Sequence, residues 1–327
     1  MVHKPDWFTD GKVFVSYANT VGINAKGNTL YVIDPDSGQR TDVVDNRVQD
    51  DINGLMKNQR SKKGTPTSTW VSANDFDLGV PSYYDARQDE ALSKLLALPE
   101  FSGFAVRTLG DLIRKKELVA QPGHGSPSID LRGGSIPYIK VSDLRAGQVN
   151  INPSNLLPKV VAERYWRSKE SGLRAFDLIT PVRASKNIGE FVMLMPGQER
   201  VVLTKEMLIL RPTAQSRVDN FYLFWAMSLC AVREQWRRII FMQTNREDVG
   251  KRYLEIKIPW PDSKRRGAKA SQDFRNYYQG IEKLRAAFVS ALAESSIHHT
   301  FLSAPDDEEE AEAEDDPGTA EAIATWA

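Results

Sequence analysis

The sequence predicts an α+β fold, a mixed β-sheet domain followed by a long helix of coiled-coil type. Between residues 104 and 212 short apolar runs are separated by Gly, Pro and Asn turns, whereas from residue 218 onward apolar residues recur at three- and four-residue steps. Strands grouped ahead of helices, rather than alternating with them, define that class. Charge adds a third observation. The net charge of zero conceals three blocks: residues 1–99 hold 11 Lys/Arg against 13 Asp/Glu, residues 100–303 hold 32 against 20, and residues 304–327 hold none against 10. A basic middle block suits a polyanion, and an acidic run of that kind is expected to be a solvated, disordered tail.

Taken in order, KVFVSYA and TLYVID read as strand, turn, strand, with Gly22, Lys26, Gly27 and Asn28 supplying the turn. Val48, Ile52, Leu55 and Met56 have helical spacing, KKGTPTSTW reads as a loop into the apolar pair Trp70 and Val71, and a second helix is expected over 90–98. This first block has little alternating core sequence and is not expected to fold by itself. A strand over 104–108 should run into a helix from Leu109, with Asp111 near its positive end. The loop QPGHGSPSIDLRGGS is of the kind that carries contacts rather than core. IPYIKVSDL, VNI and several short runs through 174–212 read as strands, and Tyr222, Trp225, Ala226, Leu229, Cys230, Val232 and Trp236 as one helical stretch. Phe274, Tyr277, Ile281, Leu284, Phe288, Ala291 and Leu292 form the stripe of the long final helix, whose length favours a coiled-coil contact with a partner or a second copy. The expected divisions are 1–99, a domain over 100–263, the long helix over 264–303 and the acidic tail over 304–327.

No run approaches the roughly 18 to 20 apolar residues of a membrane span, and MVHKPDWFTDGK has neither signal-peptide nor transit-peptide character, so no membrane is expected and the cytoplasm is the expected location. The single cysteine, Cys230, excludes an internal disulfide and is expected to be buried in FYLFWAMSLCAV.

Segments of the middle block, in order, resemble the target-recognition domains of type I restriction-modification specificity subunits and of related single-chain restriction enzymes. They are VRTLGDLI, GGSIPYIKVSDLRAGQVN, FDLITPVRASKNIGEFVML, VVLTKEMLILRP, FYLFWAMSL and MQTNREDVGKRYLEIKIPWP, and the long helix corresponds to the family's spacer helix. A complete specificity subunit usually carries two recognition domains and two spacers. This chain has room for one of each and is similar to a half-subunit. At the N-terminus, GKVFVSYANTVGINAKGNTLYVID followed by DDINGLM resembles the closing segment of an adenine-N6 DNA methylase subunit.

The resemblance implies a non-catalytic subunit that binds double-stranded DNA at a defined sequence. It would direct an adenine-N6 methylase, with a restriction or translocase subunit as a further partner and a homodimer through the 271–303 helix. The chain itself would bind no cofactor, S-adenosylmethionine being held by the methylase. It also implies that loops between strands carry the base readers: Arg132, Lys140, Ser142 and Arg145; Arg183, Ser185, Lys186 and Asn187; and Gln243, Thr244, Asn245 and Arg246, with Lys251 and Arg252 behind them. Arginine, asparagine and glutamine suit paired hydrogen bonds to base edges, and Arg237 and Arg238 are assigned to phosphate. Tyr138 and Trp166 are read as core. The alternative is an interaction or inhibitory module of a phage-defence complex that does not bind DNA.

Two chemistries lack their residues. An amino-methyltransferase needs an (Asp/Asn/Ser)-Pro-Pro-aromatic tetrapeptide to hold a flipped base, and Asn152-Pro153-Ser154 lacks the second proline and the aromatic. A nuclease triad drawn from Asp248, Glu255 and Lys257 is better read as part of a closing strand. His298-His299, with no further His or Cys beside it, is not a metal site.

Overall fold

In the computed structural model of the chain, the described residues are 4, 8, 11–127, 133–151, 155–183, 185–243 and 246–294. The acidic tail, His298-His299, Asn152-Pro153-Ser154 and the last part of the expected long helix lie outside them. The chain divides into two units, Met1–Leu95 with Arg237–Phe241, and Leu96–Trp236 with Met242–Ala327.

The first unit contains β1 (Lys12–Ser16), β2 (Tyr31–Ile33), β3 (Arg40–Val44), α1 (Arg47–Asn58), β4 (Ser68–Ser72) and most of α2 (Arg87–Leu96). The expected pairing of the first two runs is not what forms. β1 pairs antiparallel with β4, a strand that holds the apolar pair Trp70 and Val71 and begins at Ser68, inside the expected loop, and β2 pairs with β3. The reason is local in one case and long-range in the other. Asp34 accepts hydrogen bonds from the backbone N–H of Asp36 at 3.0 Å and of Ser37 at 2.7 Å, closing the turn after β2. Phe14 meets Trp70 edge to face at 5.3 Å, fixing the register of β1 on β4. Helix α1 forms where its spacing predicts, and of its apolar residues Val48 and Leu55 turn inward, half-buried. Its buried residue is Asp51, whose carboxylate accepts hydrogen bonds from Ser16 at 2.6 Å, Thr67 at 2.8 Å and Thr65, while Ile52 and Met56 are exposed.

The second unit contains β5 (Phe104–Thr108), α3 (Leu109–Arg114), β6 (Leu118–Pro122), β7 (Ile136–Ile139), β8 (Leu144–Arg145), β9 (Gln148–Val149), β10 (Leu156–Leu157) and α4 (Lys159–Trp166). It continues through β11 (Leu178–Pro181), β12 (Val192–Met193), β13 (Val202–Leu203), β14 (Met207–Pro212), α5 (Asn220–Ser228), α6 (Cys230–Ile239), β15 (Phe241–Gln243), β16 (Arg246–Asp248), β17 (Lys257–Pro261), α7 (Lys264–Ala270) and α8 (Gln272–Ala293). Helix α6 ends, and β15 begins, on residues counted with the first unit.

The fold is α+β with a mixed sheet. A six-stranded sheet runs in the order β6-β14-β11-β12-β9-β8, and only its β12–β9 contact is parallel. A second sheet runs β10-β7-β13, parallel between β7 and β13. Ile139, Leu144, Ile179, Leu194, Leu203 and Ile209 belong to one core cluster drawing on both sheets. Beneath β11 and β14, Asp177 is fully buried and paired with Arg211, whose Nε donates to Oδ1 at 2.6 Å. Thr108 caps α3 by accepting from the Asp111 N–H at 3.1 Å.

Two expectations fail between 218 and 241. The single helical stretch is two helices, because Leu229 adopts an extended conformation (φ −60°, ψ 130°) between α5 and α6. That break changes the helical register, and Cys230, expected to be buried, is exposed. The final helix is likewise divided, α7 and α8 meeting at Ser271. Helix α8 docks on α5 through Phe224, whose ring lies 5.4 Å from both Phe274 and Tyr278. Tyr278 is the buried residue of α8, and its hydroxyl donates to the Gly147 carbonyl at 3.0 Å. Beyond it Tyr277, Leu284 and Phe288 are 56%, 75% and 48% exposed. Among the described residues no helix is long and apolar enough to cross a membrane.

Candidate nucleic-acid interface

The registers of the six-stranded sheet bring three chain ends to one place. Leu208 stands opposite Pro122, and Met207 opposite Pro181, so β6 ends, β11 ends and β14 begins at the same end of the sheet. The turn 204–206 between β13 and β14 lies in the middle. Thr204 N–H donates to the Ile139 carbonyl at 3.2 Å, attaching the end of β7 and hence Lys140. Val182 N–H donates to the Glu206 carbonyl at 2.9 Å, attaching the loop after β11. Gly123 N–H reaches the Met207 carbonyl at 3.0 Å and His124 N–H the Leu203 carbonyl at 2.9 Å, attaching the loop after β6. Gly123 allows that crossing, since a Cβ there would stand 1.8 Å from the Thr204 carbonyl oxygen.

A fourth segment joins through Asp248. Arg183 and Asp248 form an antiparallel bridge, and Val249 N–H donates to the Val182 carbonyl at 3.0 Å. The Asp248 carboxylate pairs with Arg183 Nε at 3.0 Å and accepts from the Gly250 N–H at 2.5 Å, while its carbonyl accepts from Arg252 at 2.8 Å. This accounts for Asp248 as a structural tie between two loops, and among the described residues no group of three His, Cys, Asp or Glu is placed to hold a metal ion.

Of the residues chosen from the sequence, Lys140, Arg183, Ser185, Lys186, Asn187, Lys251 and Arg252 are brought together around this end. They do not present themselves equally. Lys140 Nζ donates to Asn155 Oδ1 at 3.0 Å and lies 5.7 Å from the Tyr138 ring centre. Ser185 Oγ accepts from the Asn187 N–H at 3.1 Å, shaping the turn that leaves Lys186 exposed. Lys251 is exposed as well. Ser142 follows Lys140 on a short turn, its Oγ donating to Asp143 at 3.3 Å, whereas Arg145 lies elsewhere, on β8, three strands from β11, roughly 14 Å at the usual strand spacing. Arg237 and Arg238 are counted with the first unit, where Arg238 is paired with Asp89 at 3.0 Å and is only 11% exposed, leaving little of it for a phosphate. Arg132, Thr244 and Asn245 lie outside the described residues. Gln243 and Arg246 are placed only by their backbone, on β15 and β16.

Other groups at this end were not singled out from the sequence. Glu206 Oε2 accepts from Ser126 Oγ at 2.9 Å. Burial opposes its ionisation, but the Ser126 hydroxyl, the backbone N–H and the Lys205 charge outweigh that and hold its carboxyl below the ordinary range. Burial pushes the Tyr138 hydroxyl up to about 12, against a smaller lowering by Ser126. His124 Nδ1 accepts from the Leu203 N–H at 3.0 Å, which requires the neutral ring with its proton on Nε2, where the Ser171 carbonyl receives it at 2.9 Å. Burial lowers the pKa of this histidine accordingly. The sequence signal for these groups was the Gly/Pro/Ser loop and the Thr-Lys-Glu turn, neither of which specifies what it crosses. Trp166 is core, as expected, donating from Nε1 to the Val201 carbonyl at 3.0 Å. Among the described residues around the sheet end, Lys140, Arg183, Lys186, Lys205, Lys251 and Arg252 outnumber the carboxylates Asp143, Glu206 and Asp248.

No protein-family model matches the chain, and no curated protein matches it in sequence. Among solved structures it is similar to the type I restriction-modification system S subunit from M. genitalium, with 15% identity and a TM-score of 0.37, over 64% of this chain and 51% of that one. It is similar to the HsdS subunit from Thermoanaerobacter tengcongensis, with 15% identity and a TM-score of 0.35, over 76% and 50%. A chain from a structure addressing complex assembly and conformational transition of the type I R-M system gives 15% identity and a TM-score of 0.36, over 75% and 55%. The chain spans about half the length of these chains.

Proposed function

We propose that this chain is a non-catalytic, sequence-specific DNA-recognition subunit of a restriction-modification system, working in the cytosol as one half of a two-part reader. The observation that carries the proposal is the meeting of four chain segments at one end of the six-stranded sheet, with exposed Lys186, Lys205 and Lys251 on them. Loops held by a rigid sheet suit readout of base edges, and their cations suit phosphates. The ordered motifs of the middle block support the restriction-modification context. In this reading the chain directs an adenine-N6 methylase, which holds S-adenosylmethionine, and a restriction or translocase subunit is a further partner. The exposed stripe of α8 supports a second copy as the other half of the reader. The exposed apolar side chains of the first unit, among them Val21, Ile23, Val43 and Met56, support a partner protein there.

Selection from a random duplex library by the full chain with its methylase tests the reading. A defined motif is expected, and binding without preference for any duplex refutes it. Lys186→Ala, Lys205→Ala and Lys251→Ala should each reduce the slope of log affinity against log salt by up to about 0.9 where the residue meets a phosphate. A residue that meets a base should instead relax one position of the motif.

A further inference from the structure

Strand β5 pairs with β17 on one side only. Asp262 N–H donates to the Gly103 carbonyl at 3.0 Å and Leu109 N–H to the Ile256 carbonyl at 2.9 Å, so alternate residues 103, 105, 107 and 109 direct their backbone groups at β17. By the two-residue period, the N–H and C=O of Phe104, Val106 and Thr108 point to the opposite edge. Among the described residues no strand covers that edge, and Val106 is 43% exposed. Pro259 and Pro261 sit in β17 opposite Val106 and Phe104, where their missing N–H closes the outer side of β17 to further pairing. The open edge of this pair is therefore the one on β5.

A groove of about 350 Å³ opens on the same strand, with Ala105, Arg107, Arg217, Trp260 and Asp262 in its lining. Trp260 stands opposite Ala105 and so shares the face of Arg107. Arg217 is 46% exposed, donates to the Asp262 carbonyl at 3.1 Å and has Glu117 Oε2 3.9 Å from its Nε. The Asp262 carboxylate is already engaged, accepting from Arg266 Nε and Ser263 Oγ, both at 2.9 Å. The groove thus offers the exposed Arg107, and beside it the half-exposed Arg217 with its long contact to Glu117, next to a strand edge that no described strand covers.

We propose that this edge takes the chain's own acidic segment 306–316 as an added strand, with carboxylates facing Arg107 and Arg217. The segment, DDEEEAEAEDD, lies between Pro305 and Pro317 and contains no proline, so every residue brings an N–H. Glu310, Ala311, Glu312, Ala313 and Glu314 alternate with the period of a strand, which puts glutamates on the arginine face and small methyl groups beside Phe104 and Val106. Helix α8, 22 residues and so about 33 Å long, starts immediately after α7, which itself follows β17. Residues 294–305 span up to about 40 Å when extended, longer than α8 itself.

The test is amide hydrogen exchange on the full chain without DNA, so its outcome is separate from that of the DNA reading. Residues 104–108 should be protected in the natural sequence, and in the variant Glu310→Lys/Glu312→Lys/Glu314→Lys they should exchange at least about tenfold faster. Val106→Pro removes an outward N–H and no bond to β17, and should release the tail, speeding exchange across 306–316 by a similar factor. Equal exchange in the natural chain and the charge-reversed variant overturns the proposal, as does tail exchange unchanged by Val106→Pro. Protection that disappears on dilution assigns the strand to a second copy and overturns the intramolecular form.

Discussion

Leu284→Glu separates association from folding. Tyr277, Ile281, Leu284, Phe288 and Ala291 follow one another at steps of four, three, four and three along α8, the spacing of a coiled-coil seam. Leu284 is 75% exposed, so the chain's own fold loses little when it is replaced, and the unfolding free energy should stay within about 0.5 kcal/mol of the natural chain. Association should suffer far more. Complete burial of a leucine is worth about 1.5–3 kcal/mol, and the three-quarters left to bury is worth about 1–2 kcal/mol per copy. A two-fold contact contains the residue twice, giving about 2–4 kcal/mol, or roughly 30- to 700-fold in the dissociation constant, before any cost of burying the new carboxylate. Sedimentation equilibrium reads the association and urea denaturation the folding. A natural chain that sediments as a monomer at every accessible concentration, or a variant that associates equally well, refutes the second-copy contact. A variant that associates poorly because it is globally destabilised refutes the separation itself.

The remaining predictions concern the sheet end and its support. Gly123→Ala should destabilise the chain by about 1–3 kcal/mol or more in urea denaturation, because the new Cβ, 1.8 Å from the Thr204 carbonyl oxygen, meets backbone that cannot rotate away. Asp177→Ala should cost about 3–5 kcal/mol, since it leaves Arg211, only 12% exposed, without its carboxylate. A loss below about 1 kcal/mol would show that solvent reaches the guanidinium. Burial favours the neutral form of His124 and outweighs the opposing effect of the Ser171 carbonyl, so its folded pKa lies below the unfolded value of 6.5. The unfolded state then binds more protons below that value, so this contribution is complete above pH 6.5 and is lost as pH falls from there toward the folded pKa. Urea midpoints measured across that range should fall more steeply for the natural chain than for His124→Gln.

Elements that depend on local pattern were legible in the sequence, and those that depend on distant partners were not. The strand at 104–108, the helix after it and the stripe of α8 follow from local spacing, and all three form. The pairing of β1 with β4 joins segments more than 50 residues apart, and neither run states that preference by itself. Cys230 was misplaced by a single extended residue, Leu229, which shifts the helical register without any Gly or Pro to announce it. Helix α1 shows why periodicity alone does not orient a helix. Its apolar spacing is real, but the docked face centres on Asp51, held by three hydroxyl donors with Val48 and Leu55 half-buried beside it, and Ile52 and Met56 are left exposed. At the sheet end, the loops bearing Lys140 and Lys186 were identified, but their meeting depends on the β6–β14–β11 register and the bridge to Asp248, which no single loop encodes.

That bridge also divides the cations at the site into two kinds. Lys140 donates to Asn155, Arg183 pairs with the Asp248 carboxylate, and Arg252 donates to the Asp248 carbonyl, so each is committed to holding loops in place. Lys186, Lys205 and Lys251 stand exposed on the turns so held. A surface that meets a flexible polyanion benefits from both: fixed loops limit the entropy lost on binding, and exposed ammonium groups release counterions from the phosphates. Residue type alone did not separate the two kinds, because Lys140 stands with the two arginines in the positioning set while the exposed set is all lysine. Asp248 accounts for the arginines: as the acceptor shared by the loop after β11 and the segment after β16, it commits Arg183 and Arg252 to the scaffold, and Asn155 does the same for Lys140.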